Sequence, residues 1–217
     1  TLVIYLGDNG FHLGEHGFYD KRDAFETSIR VPLLAYAPGL IAPGTLVQPL
    51  VQNIDIGPTI LDSCGVPVPP AARMDGRSFL PLLRGQEIPW RDHILYEYHW
   101  EWNFPATPTT LAIRTDRYKY IFYHGVWDQD GFYDLETDPQ EMKDLAGDPA
   151  YAAVRERMHA LLMAHWRDPD AIEGEVHAAQ VLAQPGHLGL GDGDQHQRPA
   201  QPQGVLAQRI QAAARHV

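Results

Sequence analysis

Cysteine, basic side chains and long apolar runs are all scarce in this chain of 217 residues. Its single cysteine, Cys64, excludes an intramolecular disulfide and a cage of thiolate metal ligands. No run approaches the roughly 20 apolar residues that a membrane span needs, so we predict no membrane span. With 17 Lys and Arg against 28 Asp and Glu, the net charge of -11 disfavours nucleic acid as a partner.

The first 90 residues predict an α/β arrangement. Residues 1–6 and 31–37 are short apolar runs rich in β-branched side chains, which is typical of strands buried on both faces of a parallel sheet. The apolar spacing after Asp55 predicts a helix from about Ile56 to Ser63. Because a strand without a preceding turn opens the sequence, we expect the chain to begin inside a domain.

The rest of the chain predicts a small antiparallel sheet with a packing helix. Four short aromatic and β-branched runs, separated by turn residues, predict an antiparallel meander. These runs are residues 94–102, 110–115, 118–124 and 132–135. Helical spacing over residues 150–166 would lay one apolar stripe across that sheet. The predicted domains are residues 1–90, residues 91–168 and a low-complexity, disordered tail at 169–217.

The first candidate site follows the first predicted strand, where Asp8 and Asn9 stand side by side. A carboxylate and an amide oxygen suit a hard cation such as Ca²⁺ or Mg²⁺. The alternative is a plain type I′ hairpin turn, for which Asn9-Gly10 is a strong signal. The glycines at positions 14 and 17 spoil the alternation that a second hairpin strand would show, so the cation site is favoured.

Two further polar groups follow within a few residues. His12 to His16 spells H-x-x-E-H, a zinc peptidase pattern, but that chemistry needs a helix and each nearby glycine costs about 1 kcal/mol there relative to alanine. We therefore expect His16 to brace the loop rather than to bind zinc. Lys21 is either a point charge for a tetrahedral anion or a solvated lysine between acidic neighbours, and its spacing leaves both interpretations open.

Cys64 and the aromatic run at 96–104 each have two interpretations. Cys64 lies near the end of the predicted helix, and we expect a small buried side chain rather than a nucleophile. The aromatic run is either a sugar-stacking wall or part of the sheet core. In a strand through this run, His99 shares a face with Glu97 and Glu101, which favours solvent or an inter-domain contact and leaves a cleft as the alternative. In the cleft alternative, His99 is a candidate substrate-binding residue.

Taken together, these motifs resemble the type I, formylglycine-dependent sulfatase family of the alkaline-phosphatase-like superfamily. The resemblance rests on L-V-I-Y, D-N-G, G-E-H-G, Y-D-K-R and R-V-P-L-L within residues 2–34. It continues through D-I-G-P-T at 55–59, D-G-R-S at 75–78, A-I-R-T-D-R-Y-K-Y at 112–120 and Y-D-L-E-T-D-P at 133–139. It covers about residues 1–168 and implies the carboxyl-terminal part of that fold, most similar to N-acetylglucosamine-6-sulfatase-like members.

The resemblance implies hydrolysis of a sulfate ester of a carbohydrate or a related small molecule. It implies Asp8 and Asn9 as ligands of Ca²⁺, with Mg²⁺ as the alternative, and Lys21 as a catalytic residue that contacts sulfate. A formylglycine made from a C/S-x-P/A-x-R motif would attack sulfur. Cys64 does not lie in such a motif, so we expect the nucleophile in a part upstream and the chain to be inactive alone.

Two alternatives remain open at this point. The first is a phosphonate or phosphodiester hydrolase of the same superfamily, since tetrahedral anions on a metal look alike. The second is a non-catalytic module that binds glycans or a partner through residues 94–135. Sugar binding by the isolated chain in the absence of metal would favour this second alternative.

Overall fold

The computed structural model describes residues 1–125 and 129–167, and a two-stranded sheet opens it. Strand β1 (Val3–Leu6) pairs antiparallel with β4 (Leu33–Tyr36). The prediction of strands buried on both faces of a parallel sheet is therefore wrong. Alternate side chains of both strands stay open, and Tyr5 is 64% exposed. An apolar β-branched run predicts a strand, but it carries no information about the direction of its partner.

The connection between β1 and β4 has little regular structure. Strands β2 (His12–Leu13) and β3 (Tyr19–Asp20) form a two-residue antiparallel ladder, and helix α1 (Glu26–Ile29) is one turn long. Helices shorter than about 12 residues are marginal on their own. Contacts with other parts of the molecule must therefore fix the conformation of this connection.

Helices α2 (Ile56–Ser63) and α3 (Leu80–Leu83) follow β4 along the chain. The bounds of α2 are those predicted. Leucines of α3 are buried in an apolar cluster with the partly buried Leu33 and Ala35 of β4. Cys64 follows the last residue of α2 and is exposed, so its predicted burial is wrong. The buried residues of α2 are Pro58 and Thr59, and position 64 lies beyond its last residue.

A buried ion pair joins the start of α2 to the segment before the second sheet. The carboxylate of Asp55 and the guanidinium of Arg91 are both fully buried, and they form two hydrogen bonds of 2.5 and 2.7 Å. The same carboxylate also accepts the backbone N–H groups of Gln52 and Arg77, each at 2.8 Å. Each carboxylate oxygen of Asp55 therefore accepts two hydrogen bonds, one from Arg91 and one from the backbone.

The second sheet is the predicted antiparallel meander, in the order β5-β6-β7-β8. Its strands are β5 (His93–Tyr98), β6 (Thr109–Thr115), β7 (Tyr118–His124) and β8 (Gly131–Asp134). Helix α4 (Ala152–Arg167), also predicted, packs on one face through Met158 and Leu162. The opposite face packs on Ala24 and Phe25, which lie next to α1. The meander therefore carries two cores, and the second reaches the connection that holds the candidate site.

The described ranges contain no helix that is both long and apolar enough to cross a membrane. The predicted division at residue 90 stays a prediction. The disorder predicted for residues 169–217 concerns a part of the chain outside the described residues.

Candidate functional site

Lys21 and Asn9 meet beyond the end of β1, although they are 12 positions apart in the chain. The Nζ of Lys21 donates a 2.8 Å hydrogen bond to Oδ1 of Asn9. The amide nitrogen of Asn9 donates to the carbonyl of Gly10 at 2.7 Å, which fixes the orientation of the side chain. The ammonium of Lys21 therefore lies beside the amide oxygen of Asn9, one of the two predicted cation ligands.

Asp8 is the second oxygen donor that the sequence predicts. Its side chain is exposed, and among the described residues no hydrogen bond or ion pair engages its carboxylate. Asp8 and Asn9 are the hard oxygen ligands that Ca²⁺ or Mg²⁺ prefers, but Ca²⁺ takes about six to eight of them. Within the ranges that the structure describes, no cluster of three or more His, Cys, Asp or Glu side chains is placed to hold a metal. The pair fits part of a cation site.

Ser28 of α1 ties the two halves of the site together. Its side chain is fully buried, its hydroxyl donates to the carbonyl of Lys21, and its own carbonyl accepts the N–H of Gly10 at 2.7 Å. A Cβ on Gly10 would lie 2.0 Å from the carbonyl oxygen of Thr27. Only glycine allows this approach, so α1 sets where Asn9 and Lys21 can meet.

His12 lies in the connection that carries the site, and its hydrogen bonds there were not predicted from the sequence. It is fully buried, with Nε2 2.8 Å from Oδ2 of Asp23 and Nδ1 3.0 Å from Oγ1 of Thr27. Because a carboxylate only accepts, we assign the Nε2 proton to the bond with Asp23 and make Nδ1 the acceptor for Thr27. These partners lie 11 and 15 positions away, so no short motif could have revealed them.

The zinc pattern does not take the form that zinc peptidases need. Residues 15–17 form a 3₁₀ turn in which His16 has φ of 54°, so His12 and His16 do not share a helix face. The ring of His16 stacks on Phe25 with centroids 4.0 Å apart. The expectation that His16 braces the loop is therefore confirmed.

Arg22 connects the site to the loop after β5. Its guanidinium lies over the ring of Phe104, 3.3 Å from the centroid, and it also pairs with the carboxylate of Asp20. Asp20 has φ of 103°, a strained value for a residue with a side chain. Near Arg22, burial and the charge of Glu101 raise the pKa of Tyr98 to about 12, so this phenol stays neutral.

His99 is not brought to Lys21. Strand β5 ends at Tyr98 rather than at the predicted residue 102, so His99 begins the following loop. Its Nε2 lies 3.6 Å from a carboxylate oxygen of Glu97, as the shared face predicted. In the described part of the chain, no contact joins His99 to Asn9 or Lys21.

Comparisons with known proteins show what the chain is similar to. The family model "N-sulphoglucosamine sulphohydrolase, C-terminal" matches residues 14–168. The chain is 33% identical over 185 residues to an N-acetylglucosamine-6-O-sulfatase of Bacteroides thetaiotaomicron, an alignment that covers 81% of this chain and 32% of the relative. The chain thus spans about a third of the length of the curated relative it matches.

Two solved structures resemble the chain in fold and in sequence. One, a complex with its substrate D-glucosamine-2-N,6-O-disulfate, has a TM-score of 0.70 and 32% identity, and covers 79% of this chain and 36% of that one. The other is the phosphonate monoester hydrolase of Agrobacterium radiobacter, with a TM-score of 0.64 and 30% identity, covering 76% of this chain and 35% of that one.

Proposed function

Because this chain belongs to the N-sulphoglucosamine sulphohydrolase C-terminal family and has the fold of the carboxyl-terminal part of an alkaline-phosphatase-like sulfatase, we propose that it supplies cation-binding and sulfate-binding residues to a sulfuric ester hydrolase. The observation that carries the proposal is the 2.8 Å contact between Lys21 and Asn9. The contact brings an ammonium group beside an amide oxygen, and we infer that this oxygen would bind a cation while the ammonium would bind the sulfate group.

The proposal assigns a role to each residue of the site. Asp8 and Asn9 would bind Ca²⁺, or Mg²⁺ in its place, and the bound ion would supply positive charge to the ester oxygens. Lys21 would donate a hydrogen bond to a non-bridging sulfate oxygen. Without sulfate, Asn9 accepts this bond, so the ammonium keeps a partner in either state. A donor already in place stabilises the charge on the reacting group without reorganisation.

None of the 217 residues is proposed as the nucleophile, because the printed sequence contains no C/S-x-P/A-x-R motif. Cys64 is a poor substitute, since its exposed thiol sits at the end of α2 outside such a motif. We therefore expect the 217-residue chain to bind sulfate esters without hydrolysing them.

A sulfated carbohydrate is the proposed substrate class. The relative from Bacteroides thetaiotaomicron is named for N-acetylglucosamine 6-O-sulfate, and one structural neighbour holds a disulfated glucosamine. The loop after β5 reaches the site through Phe104 and Arg22, and it carries the partly exposed His99. His99 is retained as a proposed contact to the sugar rather than to the sulfate group.

Calorimetric titration with Ca²⁺ tests the cation site. Asp8→Asn removes a charged ligand, so it should weaken Ca²⁺ binding by at least about tenfold. This factor corresponds to about 1.4 kcal/mol of binding free energy. Asp116→Asn, at the exposed turn after β6, is the matched control and should bind as wild type does. Equal Ca²⁺ affinities in the wild type and both variants would contradict the assignment of Asp8 as a cation ligand.

Titration with glucosamine 6-sulfate in the presence of Ca²⁺ tests the anion site. A hydrogen bond from a charged donor contributes about 1.5–3 kcal/mol, so Lys21→Met should weaken binding by about 10- to 100-fold. Lys143→Met is the control, because Lys143 is exposed and lies outside the site. If the chain binds the sugar without Ca²⁺, and if neither Asp8→Asn nor Lys21→Met changes the affinity, a non-catalytic glycan-binding module would be favoured.

A phosphonate or phosphodiester hydrolase is the second candidate, favoured by the likeness to the phosphonate monoester hydrolase. Both anions are tetrahedral and both suit a lysine beside a cation. Competition between inorganic sulfate and methylphosphonate for the Ca²⁺-loaded chain separates the two, and tighter binding of the phosphonate would support the second candidate.

A further inference from the structure

A fully buried lysine of β7 reaches the connection between β1 and β4 from the meander. Lys119 has no exposed surface. Its Nζ lies 2.8 Å from Oε1 of Glu26 and 2.7 Å from Oε1 of Glu141, and it donates to the carbonyl of Ala24 at 2.9 Å. This ammonium therefore joins β7 to the segment around α1 and to the turn after β8.

The ammonium of Lys119 is buried together with the carboxylates of Glu26 and Glu141. An ammonium is costly to bury without partners, and here two carboxylates surround it. Glu141 also accepts the N–H of Glu26 at 2.7 Å, and its φ of 56° is in the left-handed region that side chains avoid. Burial raises the pKa of Glu26, but the charges of Lys119 and Arg114 outweigh it and leave that pKa below its ordinary value. Glu26 is thus held as a carboxylate.

The residues that Lys119 holds lead directly to the candidate site. Two positions beyond Glu26, Ser28 binds the carbonyl of Lys21 and the N–H of Gly10. The connection itself consists of two-residue strands and a one-turn helix. Its conformation therefore depends on contacts from outside, and Lys119 is a buried, charged contact of this kind.

We propose that Lys119 is a positioning residue for Lys21 and Asn9. By fixing Ala24 and Glu26 on the meander, it holds Ser28 where both halves of the site attach. Arg114 acts on the same carboxylate, with its Nε 3.2 Å from Glu26. This assigns a role to the motif A-I-R-T-D-R-Y-K-Y at 112–120, which holds the sulfate-binding residues in position without contacting sulfate. The role rests on the proposed function.

Lysine reactivity tests this proposal, because the chain has three lysines, at positions 21, 119 and 143. The folded chain is treated with sulfosuccinimidyl acetate, and acetylation of each lysine is followed by peptide mass spectrometry against Nα-acetyl-lysine in the same tube. In Lys119→Met, local opening should free Lys21 from Asn9 and raise its acetylation rate by at least about threefold. Lys143→Met should leave the rate at Lys21 unchanged.

A second variant keeps the test decisive if Lys119→Met does not fold. Glu26→Gln preserves the size of the side chain and removes its charge, and it should raise the rate at Lys21 by at least about twofold. A folded Lys119→Met protein that melts earlier but shows the wild-type rate at Lys21 would make Lys119 merely structural and overturn the proposal. If only Glu26→Gln folds, a wild-type rate there would have the same meaning.

The same assay separates this proposal from the proposed function. Adding CaCl₂ and sodium sulfate should protect Lys21 of the wild-type chain from acetylation, and Lys119→Met should lose that protection. Absence of protection in the wild type contradicts the proposed sulfate site. The comparison without added ions would then still decide whether Lys119 positions Lys21.

Discussion

Gly10 donates its N–H to the carbonyl of Ser28 at 2.7 Å, and this bond places the residue after Asn9 against the helix that follows Lys21. The two backbones approach so closely that no side chain fits at position 10. The candidate site therefore depends on a backbone contact as much as on the side chains that carry its chemistry.

Gly10→Ala should destabilise the chain. The new Cβ would lie 2.0 Å from the carbonyl oxygen of Thr27, and forced overpacking costs about 1–3 kcal/mol, occasionally more. Gly57→Ala is the matched control, since no atom lies within 4 Å of its Cβ and α2 gains about 0.5–1 kcal/mol from alanine. Urea unfolding measures both changes, and a shift of the same sign in the two variants would refute the close approach.

Asp55→Ala should cost about 3–5 kcal/mol of the free energy of unfolding, because it leaves the buried guanidinium of Arg91 without its charge partner. Asp62→Ala is the control. Asp62 is exposed and bonds to the hydroxyl of Ser78, so its loss should stay within about 0.5 kcal/mol. Chemical denaturation at neutral pH compares the two, and equal losses would show that the Asp55–Arg91 pair contributes no more than a surface contact.

Asp134 should make the chain less stable in acid. The hydrogen bonds from Arg117 outweigh burial and hold the pKa of Asp134 below its ordinary value of 3.8. The unfolded state therefore binds this proton more readily than the folded state does. Its contribution is present above pH of about 4 and is lost as the pH falls through the lower, folded-state pKa.

Unfolding free energies of Asp134→Asn between pH 5 and 2 should therefore fall less steeply than those of the wild type. Asp116→Asn, at the exposed turn after β6, should reproduce the wild-type slope. Identical slopes for the wild type and Asp134→Asn would contradict the assignment.

The thiol of Cys64 should react with 5,5′-dithiobis(2-nitrobenzoate) in the native chain. Cys64 is the single cysteine of the chain and it is exposed, so one equivalent of thiolate should be released without denaturant. Cys64→Ser provides the blank. If reaction required urea, the sequence-based expectation of a buried side chain would be right and the described position of Cys64 wrong.

Patterns that are local in sequence predicted local structure well. The bounds of α2, the order of the meander and the packing helix α4 all follow from apolar spacing and turn residues. The sequence also indicated Asn9 and Lys21 as candidate site residues, and the structure brings them into contact. In each case the information lies within the segment itself or in the spacing of a recognised motif.

The missed features depend on residues far apart in the chain. The antiparallel pairing of β1 with β4 cannot be read from the composition of either strand. His12 is bound by Asp23 and Thr27, and Lys119 by carboxylates of two other segments. The sequence shows the ionisable residues but not which of them the fold will bury together. The predicted burial of Cys64 was wrong for a related reason, because helical spacing does not show where along a helix the buried residues end.

Alternation along the meander separates two kinds of mutational effect. Ala112 and Ile121 pack toward the layer that carries Phe25, while their neighbours Ile113 and Tyr120 pack toward α4. Adjacent substitutions in β6 or β7 therefore act on different layers. We therefore expect changes among apolar types on the α4 side to displace Lys21 little, whereas changes of volume on the other side should reach the candidate site.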